Sequence, residues 1–144
     1  GTVELRMCDG LPTLHEVASL AALAQCLVAD LEERADAGET LFVPSEWVAR
    51  ENKWRAARFG ADAHLVVDDS GRTEPLADGV HRLVEHLAPQ AERLGCADEL
   101  KSVLGILDTG PSYRRQRQVV ADGGTTRDVV AALRRELVTD RPGA

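Results

Sequence analysis

Apolar residues recur at helical spacing through a long segment near the start of the chain, and this pattern restricts the fold more than any other. A polar pair, Thr13 and Glu16, precedes them with the S/T-x-x-E spacing of a helix-capping box. The apolar face then comprises Val17, Leu20, Ala21, Ala24, Leu27, Val28 and Leu31. Gly38 can end the helix in the left-handed conformation. The pattern predicts a helix over 14–37 whose apolar face must be covered by other elements.

Five further helices are predicted from apolar spacing and from helix start and stop signals. Ser45 is a plausible N-cap for the second helix, and Gly60 is its stop. Pro89 lies within the third, and we expect that helix to break near Ala88 and restart with Pro89 in its first turn. The predicted bounds are 46–59, 78–94, 98–107, 112–122 and 126–137. The chain is expected to form one structural section over residues 1–138, followed by a frayed tail over residues 139–144.

Two stretches have the character of β-strands. Residues 64–76 read as a short hairpin or as a strand and turn, with the turn at 69–71. Residues 2–8 alternate apolar and polar side chains with period two, which is typical of a strand. A lone strand is unstable because its backbone groups need neighbouring strands, and this chain does not supply them. We therefore predict that the strand at 2–8 joins an antiparallel sheet supplied by an upstream segment or a partner chain.

Composition limits the class of protein. The 144 residues suffice for one domain, and 44% hydrophobic but only 3% aromatic residues predict an aliphatic, mainly helical core. The net charge of −7 argues against nucleic acid or an anionic membrane as partner. No apolar run approaches the ~18 residues of a membrane span. Cys8, Cys26 and Cys96 lack metal-ligand spacing. Their odd number, without a secretory leader, predicts a protein of the reducing cytoplasm. We expect all three cysteines to be small buried residues.

Arginines cluster locally within the acidic whole. On the second helix, the side chains within about 100° of one another are Trp47, Glu51, Trp54, Arg55 and Arg58. This face fits an anion site, because arginine offers a planar fork of donors and stacks on aromatic rings. It also fits a structural helix with stacked Arg–Trp pairs and a Glu51–Arg55 salt bridge. Both interpretations stay open on the pattern alone.

A second basic cluster and the first strand raise similar alternatives. Arg114, Arg115 and Arg117 precede an Asp-Gly-Gly segment at 122–124, which could hold an anion on free backbone N–H groups or could simply stop one helix before the next. Glu4 and Arg6 share one face of the predicted strand and could form an ordinary ion pair. The histidines have no convergent spacing, so none is assigned to catalysis or metal binding.

Three motifs in order resemble one enzyme family. "TVELRMCDGLPTLHEVASLAALAQCLV", "ENKWRAARFG" and "RQVVADGG" resemble the C-terminal part of carboxylate–amine ligases of the glutamate–cysteine ligase type 2 family. "TVELRMCD" also looks like the E-x-R-x-x-D segment of the glutamine synthetase superfold. The resemblance implies an α+β fold: the mainly helical C-terminal portion of a glutamine synthetase-like catalytic domain, with its N-terminal strand in a sheet completed upstream or by another chain.

The resemblance implies an ATP- and Mg²⁺-dependent reaction that forms an amide between a small-molecule carboxylate and an amine through an acyl phosphate. By motif position, Glu4 is expected to ligate Mg²⁺, Arg6 to contact phosphate or the reacting carboxylate, and Asp9 to be structural. Arg58 is expected to face phosphate or substrate. The remaining candidates are Arg55, Asn52 and Arg117 for substrate or ATP binding, and Glu51 and Trp54 for holding the arginines in place.

One departure from the family pattern bears on activity. Only Glu4 qualifies as a metal ligand here, so we expect the chain alone to be inactive and to need the segment or chain that completes the sheet. Oligomeric state is left open, homo-oligomers included. The alternative function is a non-catalytic helical module that binds or regulates a partner chain.

Overall fold

The computed structural model describes residues 3–5, 8 and 10–143, and within them the chain is mainly helical. The elements are α1 (Leu14–Asp36), α2 (Glu46–Phe59), a 3-10 turn (Gly60–Asp62), β1 (His64–Val66), β2 (Thr73–Pro75), α3 (Leu76–Leu94), α4 (Ala97–Thr109), α5 (Ser112–Ala121) and α6 (Thr126–Thr139). Each end of each helix lies within two residues of its predicted position. The mainly helical character expected from the sequence is confirmed.

The core lies among α1, α3 and α4. Its buried side chains are Ala22 and Cys26 from α1, Val84, Leu87 and Ala91 from α3, and Leu100 and Val103 from α4. In the described part of the chain no aromatic ring is buried, which agrees with the aliphatic core expected from composition. Small and branched aliphatic side chains at helical spacing let the three helices approach one another closely.

The face that α1 buries differs from the predicted one. Val17, Val28 and Leu31 are exposed, whereas the buried positions of α1 include Glu16 and Asp30. The buried positions also follow helical spacing, and the polar ones have partners that the sequence pattern did not reveal. Within the described residues α1 is also the one helix long and apolar enough to cross a membrane, contrary to the sequence estimate, although it packs against α3 and α4 as a core helix does.

The expected break in α3 at Pro89 is absent. The helix runs without interruption from Leu76 to Leu94, with Pro89 inside it. Proline removes the hydrogen bond to the carbonyl of Glu85. Both residues are exposed, so water can satisfy that carbonyl, and burial of Leu87 and Ala91 on either side of Pro89 holds the helix together. Tertiary contacts therefore override the local signal.

The predicted hairpin is present and is bound to α2. β1 and β2 pair antiparallel with His64 opposite Pro75 and Val66 opposite Thr73. The Asn52 side chain on α2 donates to the carbonyl of Val66 at 2.8 Å and accepts from its N–H at 2.7 Å. These bonds satisfy an edge of β1 that no other strand covers in the described part of the chain.

The segment after α5 is a helix stop. The N–H groups of Gly123 and Gly124 donate to the carbonyls of Val120 and Val119, and Gly123 has φ +89°. Thr125 then caps α6 in a capping box with Asp128. Because these glycine N–H groups are already bonded, they favour the helix-stop alternative for this segment over the anion-loop alternative.

Within the predicted frayed tail, Asp140, Arg141 and Gly143 are instead hydrogen-bonded to the rest of the structure. The Arg141 N–H donates to the Glu136 carbonyl at 3.2 Å, and the Gly143 N–H donates to the Glu136 side chain at 2.9 Å. Asp140 accepts from the His15 N–H at 2.9 Å. These contacts join the end of α6 to the start of α1, and sequence composition near a terminus does not reveal them.

The predicted strand at 2–8 is not formed at the residues the structure describes. Val3, Glu4, Leu5 and Cys8 are exposed and lie outside any helix or strand. Arg6 and Asp9 lie outside the described residues. A strand needs a partner for its backbone groups, so pairing of this segment with a sheet from elsewhere stays a prediction for a larger assembly.

Candidate functional site

A basic cleft lies between the C-terminal half of α2, the 3-10 turn and α5. Its volume is about 1070 Å³. Its basic lining residues are Lys53, Arg58, Arg114 and Arg117, and Asp62 is its one acidic residue in the described part of the chain. Two of the candidate residues predicted from sequence, Arg58 and Arg117, are thereby brought to one site from separate helices. The excess of cations makes the cleft attractive to an anion.

Aromatic rings support both of these arginines. The Arg58 guanidinium carbon lies 5.5 Å from the centroid of the Phe59 ring, and that of Arg117 lies 5.4 Å from the centroid of the Tyr113 ring. A cation above a ring face is stabilised without losing its charge or its donors. Neither guanidinium has a carboxylate within ion-pair distance among the described residues, so both keep donors available for a ligand.

The contact between Gly60 and Tyr113 sets the width of the basic cleft. The Tyr113 hydroxyl accepts a hydrogen bond from the Ala61 N–H at 3.0 Å. Gly60 has φ +56°, and a Cβ on it would lie 2.3 Å from the Tyr113 hydroxyl oxygen. Only a residue without a side chain allows this approach. The glycine that follows α2 therefore also allows α5 to pack closely against the 3-10 turn.

Arg114 closes one side of the cleft. Its guanidinium forms an ion pair with Asp62, and this hydrogen bond raises the pKa of Arg114. The pair joins α5 to the 3-10 turn beside the Tyr113 contact. Lys53, Arg58 and Arg117 remain as the cations without a carboxylate partner in the described residues. The cleft therefore carries a net positive charge that a bound anion could neutralise.

Two other predicted residues of α2 have structural contacts. Arg55 donates to Glu51 at 2.8 Å, as the predicted i,i+4 pair, and to the His64 carbonyl at 3.0 Å. Asn52 uses both ends of its amide on Val66. These contacts favour the structural interpretation of this part of the helix, and substrate or ATP binding by Arg55 and Asn52 stays a prediction.

Replacing Asn52 with Ala is expected to lower the free energy of unfolding by about 1–3 kcal/mol, because the N–H and C=O of the buried residue Val66 lose their partners. Urea unfolding followed by circular dichroism measures the change. Lys53→Ala, at an exposed neighbouring position, is the control and should change stability by less than about 0.5 kcal/mol. Equal effects of the two substitutions would contradict the assigned role of Asn52.

The expected stacking of arginine on tryptophan is not found among the described residues. Trp54 instead makes an edge-to-face contact with Phe59, with ring centroids 5.7 Å apart and planes at 88°. Phe59 in turn lies beside the Arg58 guanidinium. A role for Trp54 in holding an arginine in place stays a prediction.

Arg115, which lies between the basic-cleft residues Arg114 and Arg117 in the sequence, is largely buried. Its guanidinium donates to both carboxylate oxygens of Glu136 at 2.9 and 3.0 Å, to Glu16 at 2.9 Å and to the Gly110 carbonyl at 2.5 Å. Thr13 donates to the other Glu16 oxygen at 2.8 Å. Burial lowers the pKa of Arg115, but the hydrogen bonds to Glu136 and Glu16 outweigh burial and raise it overall.

This buried ion network joins three helices. Glu16 belongs to α1, Arg115 to α5 and Glu136 to α6, and the Arg115 side chain is 11% exposed. One sequence signal could have predicted the burial of Glu16: it lies on the same face of α1 as Ser19, Ala22 and Cys26. An acid on a buried helix face requires a cationic or hydrogen-bonding partner. The pattern does not identify which arginine supplies it.

The described residues do not form a metal site by themselves. No group of three or more His, Cys, Asp or Glu side chains in the described ranges could hold an ion. Glu4 is exposed, and its predicted neighbour Arg6 lies outside the described part of the chain. The donor set present here does not fit Mg²⁺, which prefers several oxygen ligands in an octahedral arrangement.

Comparison with known proteins gives one consistent family. The model of glutamate–cysteine ligase family 2 matches residues 1–132. A Frankia alni protein named "Putative glutamate--cysteine ligase 2-1" is 54% identical over 99% of this chain, which covers 37% of that relative. A Thermobifida fusca protein named "Putative glutamate--cysteine ligase 2" is 49% identical over 99% of this chain, which covers 36% of it.

The chain thus spans little more than a third of the length of these relatives. The basic cleft, the hairpin and the core helices all lie within the matched residues, whereas the end of α6 lies beyond them. A match over residues 1–132 includes all three motifs on which the resemblance was based. The chain therefore belongs to glutamate–cysteine ligase family 2.

Proposed function

We propose that this chain is part of an ATP-dependent carboxylate–amine ligase that forms an amide, and that its basic cleft receives an anionic group of the nucleotide or the carboxylate substrate. The observation that carries the proposal is the meeting of Arg58 and Arg117, from separate helices, in one basic cleft. Family membership supplies the class of reaction. The identity of the acid and of the amine is left open by the residues described.

The chemistry of such a ligase requires concentrated positive charge. A carboxylate must approach a phosphoryl group, and both are anionic, so cations must offset their repulsion and the charge of the transition state. ATP, when bound, would supply the phosphoryl group for an acyl phosphate. Arg58 and Arg117 offer forked donors held over aromatic rings, and Lys53 adds a point charge. The cleft therefore fits phosphate or carboxylate oxygens.

The metal part of the site would lie elsewhere in the assembly. We infer that Glu4 contributes one carboxylate to a Mg²⁺ site, and Arg6 a phosphate contact, only when the first segment joins a sheet from the rest of the protein. The residues described here do not complete such a site, so no chemical step is assigned to a metal. On this proposal the chain alone is inactive.

The exposed apolar face of α1 supports a missing partner. Val17, Val28 and Leu31 are 45%, 41% and 38% exposed at helical spacing. Rows of exposed aliphatic side chains on one helix are typical of surfaces that another chain or segment covers. The same face favours the second candidate function, a non-catalytic module that docks on a partner. The two functions differ in whether the basic cleft affects turnover.

The test uses the full-length protein and its release of ADP in the presence of a carboxylate and an amine. Arg58→Ala and Arg117→Ala should each lower kcat/KM for ATP or the carboxylate at least about tenfold, equivalent to ~1.4 kcal/mol of lost binding in the transition state. Arg134→Ala, exposed on α6 away from the cleft, is the matched control and should leave turnover unchanged.

Two results would contradict the ligase proposal. One is a full-length protein that never consumes ATP with any carboxylate and amine offered. The other is turnover that is unchanged in both arginine variants, which would move the anion site away from the cleft. If ATP is never consumed but the chain still binds a partner through α1, the docking module is the better description.

A further inference from the structure

Two cysteines far apart in the sequence have their thiols in contact. The sulfur atoms of Cys26 and Cys96, 70 positions apart, lie 3.6 Å from each other. Cys26 projects from α1 into the three-helix core and is 0% exposed, whereas Cys96 is half-buried in the turn between α3 and α4. No other side chain separates the two sulfurs at that distance. The pair is unrelated to the basic cleft.

The surroundings allow the short movement that a covalent bond requires. A disulfide needs its sulfurs about 2.05 Å apart, so each must move by less than an ångström, which side-chain rotation can supply. Cys96 follows Gly95, which adopts the left-handed conformation, and precedes the first residue of α4. A residue in such a turn adjusts with less disturbance than one inside a helix.

The two thiols differ in access to solvent, and this difference assigns their roles. Cys96 is half-buried and therefore more open to a small oxidant than Cys26, which is 0% exposed and contacts the Cys96 sulfur. Burial, followed by the nearby Cys96, raises the pKa of the Cys26 thiol to about 11. Cys26 therefore stays protonated at neutral pH and is protected from direct oxidation.

We propose that Cys26 and Cys96 form an oxidant-responsive disulfide that locks α1 to the α3–α4 turn. A hydroperoxide would oxidise Cys96: its sulfur attacks one peroxide oxygen, the O–O bond breaks, and with hydrogen peroxide one water leaves. The Cys26 sulfur then attacks the sulfenic sulfur of Cys96, losing its proton, and the sulfenic oxygen leaves as a second water. Two thiols and one hydrogen peroxide thus give one disulfide and two waters.

The bond would act on the core rather than on the basic cleft. A cross-link between positions 70 apart restricts the unfolded chain and stabilises the fold under oxidising conditions. It would also fix α1 against α3 and α4, whose contacts otherwise depend on aliphatic packing. The proposal is independent of the proposed ligase function, because it concerns folding and cross-linking rather than turnover.

The experiment treats purified protein carrying Cys8→Ser, which removes the exposed third thiol, with hydrogen peroxide. We expect the intact mass to fall by two hydrogen atoms and a non-reducing peptide map to join the Cys26 and Cys96 peptides. Tm should rise by about 5–10 °C and return to its starting value with dithiothreitol. Adding Cys26→Ala should abolish the mass loss and leave Cys96 open to a sulfenic-acid-specific dione.

Three results would overturn the proposal. The oxidised protein could carry an oxyacid on Cys96 while Cys26 is alkylated as a free thiol after unfolding. The cross-link could instead join two Cys96 residues of separate chains. Peroxide could also leave both thiols reduced. Any of these would make the pair a packing contact and nothing more.

Discussion

Replacing Arg115 with Met is expected to lower the free energy of unfolding by about 3–5 kcal/mol, the typical cost of removing one member of a buried ion network. Glu16 is fully buried and Glu136 is 3% exposed, and both carboxylates rely on the Arg115 guanidinium. Without it, two like charges would remain close together in a medium of low polarity. Urea or thermal unfolding of the variant measures the loss.

The neighbouring arginine provides a matched control. Arg114→Met removes an ion pair with Asp62, whose side chain is 75% exposed, and should cost far less stability than Arg115→Met because solvent screens the exposed pair. Adding Glu16→Gln and Glu136→Gln to Arg115→Met removes both orphaned charges and should restore part of the lost stability. Similar losses for Arg114→Met and Arg115→Met would show that the buried network contributes nothing special.

Replacing Gly60 with Ala is expected to cost about 2–5 kcal/mol, the second large effect. One part is the backbone, because a residue with a Cβ is strained at the φ of +56° found there. The other is steric, since the new methyl group would lie 2.3 Å from the Tyr113 hydroxyl oxygen and 2.7 Å from the ring carbon that carries it. The variant should therefore also displace α5 from the turn. Denaturant unfolding gives the cost, and tyrosine fluorescence reports the displacement.

A substitution at Gly95 separates the cost of backbone strain from the cost of steric clash. Gly95 has φ +71°, and a methyl group added to it would meet no atom within 4 Å, so Gly95→Ala carries backbone strain alone and should cost about 1–2 kcal/mol. Combining Gly60→Ala with Tyr113→Ala relieves the clash, so the double variant should lose less stability than the sum of the two single losses. Additive losses would mean that Tyr113 does not depend on the glycine.

The parts of the fold that the sequence predicted correctly depend on local signals. The Thr13–Glu16 spacing, the apolar periodicity and the glycines after α2 and α3 act within one or two turns of helix, so they placed the helices to within two residues. A hairpin was one of two forms predicted for 64–76, because its turn residues are equally local. Pro89 shows the limit, since burial of Leu87 and Ala91 outweighs a local helix-breaking signal.

Features that depend on contacts between distant elements were not predictable in the same way. Arg58 and Arg117 were named singly from their motifs, but only the approach of α5 to the turn after α2 brings them to one cleft. Arg115 has the same composition signal as Arg114, and only its three-dimensional neighbours distinguish a buried ion from a surface one. The same limit hid the bonds from Asn52 to Val66.

The orientation of α1 has a consequence for handling the chain. Three of its polar residues, Glu16, Ser19 and Asp30, are buried, while Leu14 and Val28 are exposed. Exposed aliphatic side chains on one helix promote self-association. In concentrated solution these surfaces of separate chains would contact one another and form clusters that grow with concentration. Self-association of the folded chain, rather than unfolding, would then limit the concentration at which the isolated chain stays in solution.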